Sequence, residues 1–241
     1  MKKALIVVDV GNTNTRFGIF SDSGVEDVRT IPTESFSINA LHSRDLPIAV
    51  ASVVPKMNSM FEKAGAFFVS AENAENIDFS MVDKAALGAD RVANAAALAK
   101  YAHLPAVCVD CGTAITFELL DSKRVFRGGA IAPGRALMRK SLSSGAAKLP
   151  LVSTFHGKRP PALAVDTESA ITAGCDIGSV GIVTEILSAM GNEMGGNVKQ
   201  VIATGGDAEF FSTNILDVGY GGEDFTLKGI AEIWRMNQET E

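Results

Sequence analysis

The stretch Ala4–Phe20, ALIVVDVGNTNTRFGIF, decides how the rest of this chain is read. Five apolar residues, Ala4 to Val8, run into Asp9, then Val10 and the turn Gly11-Asn12-Thr13-Asn14, and an apolar alternation from Phe17 to Phe20 returns. The pattern predicts a buried strand, a tight turn and a returning strand. Such a turn can bring backbone N–H groups and short side chains up to a phosphate, while a carboxylate at Asp9 holds a metal ion or its water. A plain surface hairpin uses the same residue types, so this stretch alone does not choose between them.

A second copy does. Ala106–Val109 predicts another strand, which runs into Asp110-Cys111-Gly112-Thr113-Ala114 and is followed by the apolar return Ile115–Leu120. Asp110 lies 101 residues after Asp9. Two strand–D-x-G–strand units at that separation predict an α/β chain of two related halves, 1–104 and 105–241, facing each other across a cleft, with the boundary near Pro105 a packed hinge.

Composition narrows the function classes. With 46% hydrophobic and 21% charged residues the profile is that of a globular protein. A net charge of −6 argues against general nucleic-acid binding. No uninterrupted apolar run reaches the ~18 residues of a membrane span, and the basic start Met1-Lys2-Lys3 is not followed by a cleavage-like site. The expectation is a cytoplasmic protein, which three cysteines also suit. Cys108 and Cys111 form a C-x-x-C within a strand, where residues three apart face opposite ways. With no second Cys or His pair near, both read as structural.

Between the two copies, Val28–Ile31, Leu46–Ala51 and Ala66–Val69 read as strands, 56–64 as a helix, and 33–45 as polar with a short helix. Leu87-Gly88-Ala89-Asp90-Arg91 enters the alanine-rich helix Val92–Tyr101. Asp90 there could be a helix cap, favoured by the helix dipole. Downstream, Arg127–Gly134 reads as a glycine-rich turn feeding the helix Arg135–Gly145. Asp166 and Thr167 precede the apolar-periodic stretch Ala170–Met190, and Asp166 could cap it. Val201–Ala203 reads as a strand ending in Thr204-Gly205-Gly206, a junction that can lay bare backbone against a nucleotide. Leu227–Asn237 reads as the last helix.

Two acidic turns and a third glycine junction suit ATP with Mg²⁺, for phosphoryl transfer needs positioning, charge neutralisation and a base. Asp9 and Asp110 would flank the phosphates, Thr13 and Thr113 could bond their oxygens, and Asp90 suits a general base for an alcohol. No P-loop and no protein-kinase motif set is present.

These residues together resemble the type III pantothenate kinases, of the acetate and sugar kinase/Hsp70/actin superfamily. Asp9-Val10-Gly11-Asn12-Thr13 is similar to the first phosphate motif and Gly88-Ala89-Asp90-Arg91 to the G-x-D-R pantothenate motif. Asp110 to Thr116 is similar to the second phosphate motif, Gly128 to Gly134 to the interface motif, and Thr204-Gly205-Gly206 to the nucleotide motif. They occur in family order over nearly the whole chain. The resemblance implies two ribonuclease-H-like, actin-like halves with a mixed central sheet flanked by helices and ATP in the cleft between them. It also implies transfer of the ATP γ-phosphate to pantothenate, the first step of coenzyme A biosynthesis.

By position, the resemblance makes Asp90 the base. It places Gly88, Ala89, Asp90, Arg91 and Thr167 on pantothenate, and Asp9, Val10, Gly11, Asn12, Thr13, Asn14, Thr15, Arg16, Thr113, Gly205 and Gly206 on ATP. Asp9 would hold Mg²⁺ through ATP, and Asp110 a monovalent cation, K⁺ or NH₄⁺. A homodimer is implied, with the pantothenate pocket close to its interface. Glu118 stands where the family pattern T-x-D has Asp, and Met81-Val82-Asp83-Lys84 where relatives carry an aromatic and Asn-Pro. The alternatives are another small-molecule kinase of the superfamily, or a non-catalytic nucleotide-binding relative acting as a transcription accessory factor. The G-A-D-R motif speaks against a generic sugar kinase, and intact Asp9, Asp90 and Asp110 speak against a binding-only protein.

Overall fold

The computed structural model describes residues 4–41, 46–154 and 157–238. Its first hairpin is β1 (Leu5–Val10) and β2 (Asn14–Ser21), antiparallel, with Leu5 opposite Phe20 and Val10 opposite Thr15. β3 (Gly24–Pro32) continues the sheet beyond β2, while β4 (Ile48–Ser52) pairs parallel on the other side of β1 and β5 (Phe67–Phe68) parallel to β4. The order is β3-β2-β1-β4-β5. A central strand covered on both faces needs an unbroken apolar run, which is why β1 reads as it does.

The second sheet repeats the plan. It contains β6 (Ala106–Cys111), β7 (Ala114–Leu120), β8 (Ile131–Pro133), β9 (Gln200–Thr204) and β10 (Val218–Tyr220), in the order β10-β9-β6-β7-β8. Taken from β8, these are the third, second, first, fourth and fifth strands of their set, the order of the first sheet. β1 and β6 match in burial position for position, and in each the fifth residue, Asp9 or Asp110, is the one partly exposed. The helices are α1 (Pro55–Lys63), α2 (Ala89–Tyr101), α3 (Arg135–Gly145), α4 (Thr167–Glu193), α5 (Ala208–Asn214) and α6 (Phe225–Gln238).

The chain divides into two compact units, one of residues 1–106, 118–128 and 223–241, the other of 107–117 and 129–222. The chain leaves the first unit after residue 106 and comes back to it twice. It first returns with the end of β7 and the loop after it. There Asp78 N–H donates to the Arg124 carbonyl (2.9 Å), Phe126 N–H donates to the Asp78 carbonyl (2.9 Å), and the Phe79 and Phe126 rings lie 5.3 Å apart. It returns again with α6, which packs on α2, β1 and β4. Gly229 allows that packing, because a Cβ there would collide with the Ala93 backbone. The alanines of α2 serve the same close approach; Ala93, Ala96 and Ala97 are buried.

The predicted elements differ from the observed ones where local pattern is weak. The short helix expected in 33–45 is two 3₁₀ turns, Thr33–Ser35 and Ile38–Ala40, and its last residues, 42–45, lie outside the described residues. The glycine-rich turn before α3 contains a strand, β8, paired to β7 with Ala114 opposite Pro133. The strand Ala66–Val69 shrinks to two residues, and β10 had no counterpart in the reading.

Candidate functional site

In the first unit the β1–β2 turn exposes Asn12, Thr13 and Asn14, while Gly11 is partly covered. Gly11 N–H donates to the Asn14 carbonyl at 3.0 Å, closing the turn. Its support comes from Thr33, which the sequence reading passed over. The Thr33 hydroxyl donates to the Gly11 carbonyl (2.7 Å) and lies 3.0 Å from the Thr15 hydroxyl, and the Thr33 N–H donates to the Thr13 carbonyl (2.9 Å). Of the residues expected at ATP, Val10 and Thr15 are fully buried. Strand alternation puts Thr15 on the core face with Phe17, so it holds the turn from beneath. Arg16 points to the other face and donates from Nη1 to the Glu223 carbonyl (2.9 Å).

The same unit carries the start of α2. The N-cap is Gly88, not Asp90. A Cβ at Gly88 would lie 2.5 Å from Asp90 Oδ1, so the glycine makes room for the carboxylate. Asp90 Oδ1 accepts the Arg91 backbone N–H (2.8 Å). Burial pushes the Asp90 carboxyl above its ordinary value, against the opposing pull of that N–H and of the Arg91 charge. Arg91 Nε donates to Glu118 Oε1 at 2.9 Å, and its guanidinium sits over the Phe126 ring, 5.8 Å from the centroid. Glu118, which departs from the family pattern, is fully buried.

In the second unit, Gly112 and Thr113 form the exposed turn between β6 and β7. Here the support is backbone laid against backbone. Gly134 N–H donates to the Thr113 carbonyl (3.0 Å), and a Cβ on Gly134 would fall 2.6 Å from that oxygen. Gly205, at φ +90°, brings its Cα so near that a Cβ would lie 2.6 Å from Asp110 Oδ1 and 2.8 Å from the Cys111 carbonyl. Gly206 is bare for another reason, since a Cβ there would meet nothing within 4 Å. Of the two glycines expected at the nucleotide, Gly205 lies beside Asp110 and is required by the protein itself, and Gly206 leaves open space.

This turn is anchored from behind. Asp207 N–H donates to the Cys111 carbonyl (2.9 Å), and its carboxylate accepts from Arg135 Nη1 (3.0 Å). Fully buried Arg135 also donates from Nε to Asp176 Oδ1 of α4 (2.9 Å) and stacks on Phe210 at 3.7 Å. Arg139 Nη2 shares the same Asp176 oxygen (2.7 Å). Cys108 and Cys111 are buried strand residues, the Cys111 thiol donating to the Val109 carbonyl (3.4 Å).

Thr167 is the first residue of α4 and exposed, at the rim of an open depression of about 600 Å³ formed by 147–150 and 166–168. Asp166 caps that helix, accepting from Ser169 N–H (2.8 Å) and Oγ (2.7 Å). Those two bonds hold its carboxyl below the ordinary value. Each unit thus assembles a subset of the expected residues. Asp90 and Arg91 share a unit with the Asp9 turn, while Asp110, Thr113, Gly205, Gly206 and Thr167 belong to the other.

The sequence description of the type III pantothenate kinases matches residues 5–189. The chain belongs to that family. A type III pantothenate kinase of Methylacidiphilum infernorum is 34% identical over 235 residues, spanning 94% of this chain and 86% of that protein. Solved structures agree on the fold. A Campylobacter jejuni protein described as a Baf-family transcriptional activator matches with a TM-score of 0.66 at 22% identity, over 97% of this chain and 99% of its own. MreB 5 of Spiroplasma citri matches with a TM-score of 0.51 at 12% identity, over 100% and 97%. The family's fold is thus the expected α/β one, two mixed sheets flanked by helices in the manner of actin-like ATPases and sugar kinases.

Proposed function

We infer that the chain transfers the γ-phosphoryl group of ATP to the hydroxyl of pantothenate, giving 4′-phosphopantothenate and ADP at the start of coenzyme A biosynthesis. The observation that carries the mechanism is Asp90, a carboxylate made more basic by burial at the entrance of α2, beside an arginine. Asp90 takes the proton of the acceptor hydroxyl as its oxygen bonds to the γ-phosphorus, and the bond from that phosphorus to the β–γ bridging oxygen breaks to release ADP. Gly88, Ala89 and Arg91 hold pantothenate with Asp90, Arg91 pairing with its carboxylate. Thr167, exposed at the start of α4, adds a hydroxyl.

The exposed turn after Asp9 offers backbone N–H groups to ATP phosphates, and the family motifs assign Thr113, Gly205 and Gly206 to the nucleotide as well. The carboxylate donors fit hard cations. Asp9 would hold Mg²⁺ through ATP, and Asp110, whose Oδ1 lies in a cradle that a Cβ at position 205 would fill, suits K⁺ or NH₄⁺. When bound, these ions neutralise phosphate charge.

A homodimer is supported by α4. Among the described residues it is the one helix apolar and long enough to cross a membrane by length and composition, yet only 39% of its most apolar window is buried within the chain. Leu151, Leu163 and Val165 also stand exposed before it. A second copy would cover both. Light scattering that finds an active monomer would end this part of the reading.

The deciding experiment is a coupled ADP assay. ADP release should require pantothenate and rise with K⁺ or NH₄⁺ but not Na⁺. Release indifferent to pantothenate would refute the substrate assignment and favour another acceptor.

A further inference from the structure

We propose that Glu118 is a positioning residue for substrate selection: its buried carboxylate fixes the Arg91 guanidinium in the orientation that receives the substrate's carboxylate. The proposal rests on the assignment of Arg91 to the pantothenate site. It gives a task to a residue that departs from the family pattern and that the mechanism has not used.

Glu118 begins the part of β7 that returns to the first unit, within the buried run 117–120, and its side chain is fully buried. A buried carboxylate is costly unless it is paired and hydrogen-bonded on both oxygens. Both oxygens of Glu118 are engaged. Oε1 receives Arg91 Nε at 2.9 Å, and Oε2 receives Asn94 Nδ2 at 3.3 Å. Asn94 is itself oriented, because its Oδ1 accepts the Thr226 hydroxyl of α6 at 2.8 Å. That bond obliges the amide to turn its NH₂ toward Glu118. The order of command runs from α6 through α2 to β7 and back to Arg91, the residue next to the proposed base.

The consequence for Arg91 is geometric. A guanidinium has five N–H donors in a rigid plane, and anchoring Nε on one carboxylate sets the direction of the Nη pair. Phe126 lies under the plane at 5.8 Å and limits its tilt. Arg91 keeps 17% of its side-chain surface exposed, whereas Glu118 keeps none. The carboxylate therefore acts on substrate only through the arginine.

A carboxylate-holding Arg should separate pantothenate from pantothenol, in which an alcohol replaces the carboxylate. In E118Q the single amide oxygen can accept from only one of Arg91 Nε and Asn94 Nδ2 while the NH₂ faces the other, and the charge that pairs with the guanidinium is gone, so the anchor is weakened. E118Q should raise the KM for pantothenate by about tenfold or more, since a charged hydrogen bond is at stake. The KM for ATP should stay within about twofold, and the wild-type preference for pantothenate over pantothenol should shrink by the same factor as the pantothenate KM rises. E118D keeps the charge but withdraws it by one methylene, and should fall between wild type and E118Q. If E118Q does not fold, E118D alone decides, through its pantothenate KM and its preference ratio.

A merely structural Glu118 would lower the thermal midpoint and change both KM values together, leaving the preference ratio untouched; that result overturns the proposal. Unchanged kinetics in both variants overturn it as well. Failure of the underlying assignment looks different, because a wild-type enzyme that does not prefer pantothenate to pantothenol shows that Arg91 receives no carboxylate, whatever Glu118 does.

Discussion

Helices α2 and α4 each carry an aspartate at their start, and the two carboxylates live under opposite conditions. Asp166 precedes α4, is exposed, and spends its oxygens on the N–H and hydroxyl of Ser169. Asp90 lies one residue inside α2, where Gly88 has taken the cap position, and is pushed upward in pKa by burial. In sequence both are acidic residues ahead of an apolar helix, and the dipole favours both. What separates them is two positions relative to the helix cap and the presence of a serine three residues on. A carboxylate that has found local donors is a cap. One whose burial outweighs the N–H it accepts, as at Asp90, keeps its basicity for a substrate.

The sharpest way to break this comparison is to neutralise both. D90N should lower kcat by ~10³-fold while ATP binding persists, whereas D166N should cost far less activity. A fully active D90N, followed by ADP release, would return Asp90 to the status of a second cap. Next in size, G88A drives a methyl group into the space of Asp90 Oδ1 and should cost up to about 100-fold in kcat through displacement of the carboxylate.

A pH series sharpens the contrast further. With its folded pKa raised, Asp90 binds its proton more tightly in the native state, so its ionisation costs stability as pH rises from the ordinary carboxyl value through the raised one. D90N should therefore unfold at a higher temperature than wild type at neutral pH, with the gap closing in acid. Activity should show an acidic limb set above the usual carboxylate range. Asp166 has the opposite sign, since its lowered pKa contributes stability at neutral pH that is lost as pH falls through that value. The smallest effect is D166A, expected to lower the midpoint by only a few degrees as the cap of a 27-residue helix is removed.

The repeat was the legible part of this fold. Two apolar runs ending in D-x-G predicted two equivalent hairpins, and β1 and β6 agree in burial residue for residue. The props beneath the turns were less legible because they come from distant sequence. Thr33 holds the first turn through hydroxyl bonds, and Gly134 and Gly205 hold the second through the absence of a Cβ. The glycines could be suspected, since close approach leaves a compositional trace. A single threonine leaves none. Motif position carries no face, and strand alternation turns Thr15 inward. β8 and β10 are three residues each, too short for a period to register.

The return of α6 to the first unit has a consequence for how the protein is made. The strands β1 to β5 leave the ribosome early, yet the helix that lies against α2, β1 and β4 is encoded after every strand of both sheets. Until residues 225–238 emerge, the nascent first unit carries an open apolar face, while every residue of the second unit has already been synthesised. During synthesis the later-encoded unit is thus the first that can close, and the N-terminal one waits as a client for chaperones. Chains ending before residue 225 and stalled on a linker long enough to clear the ribosomal tunnel should show a protease-sensitive first unit and a protected second one.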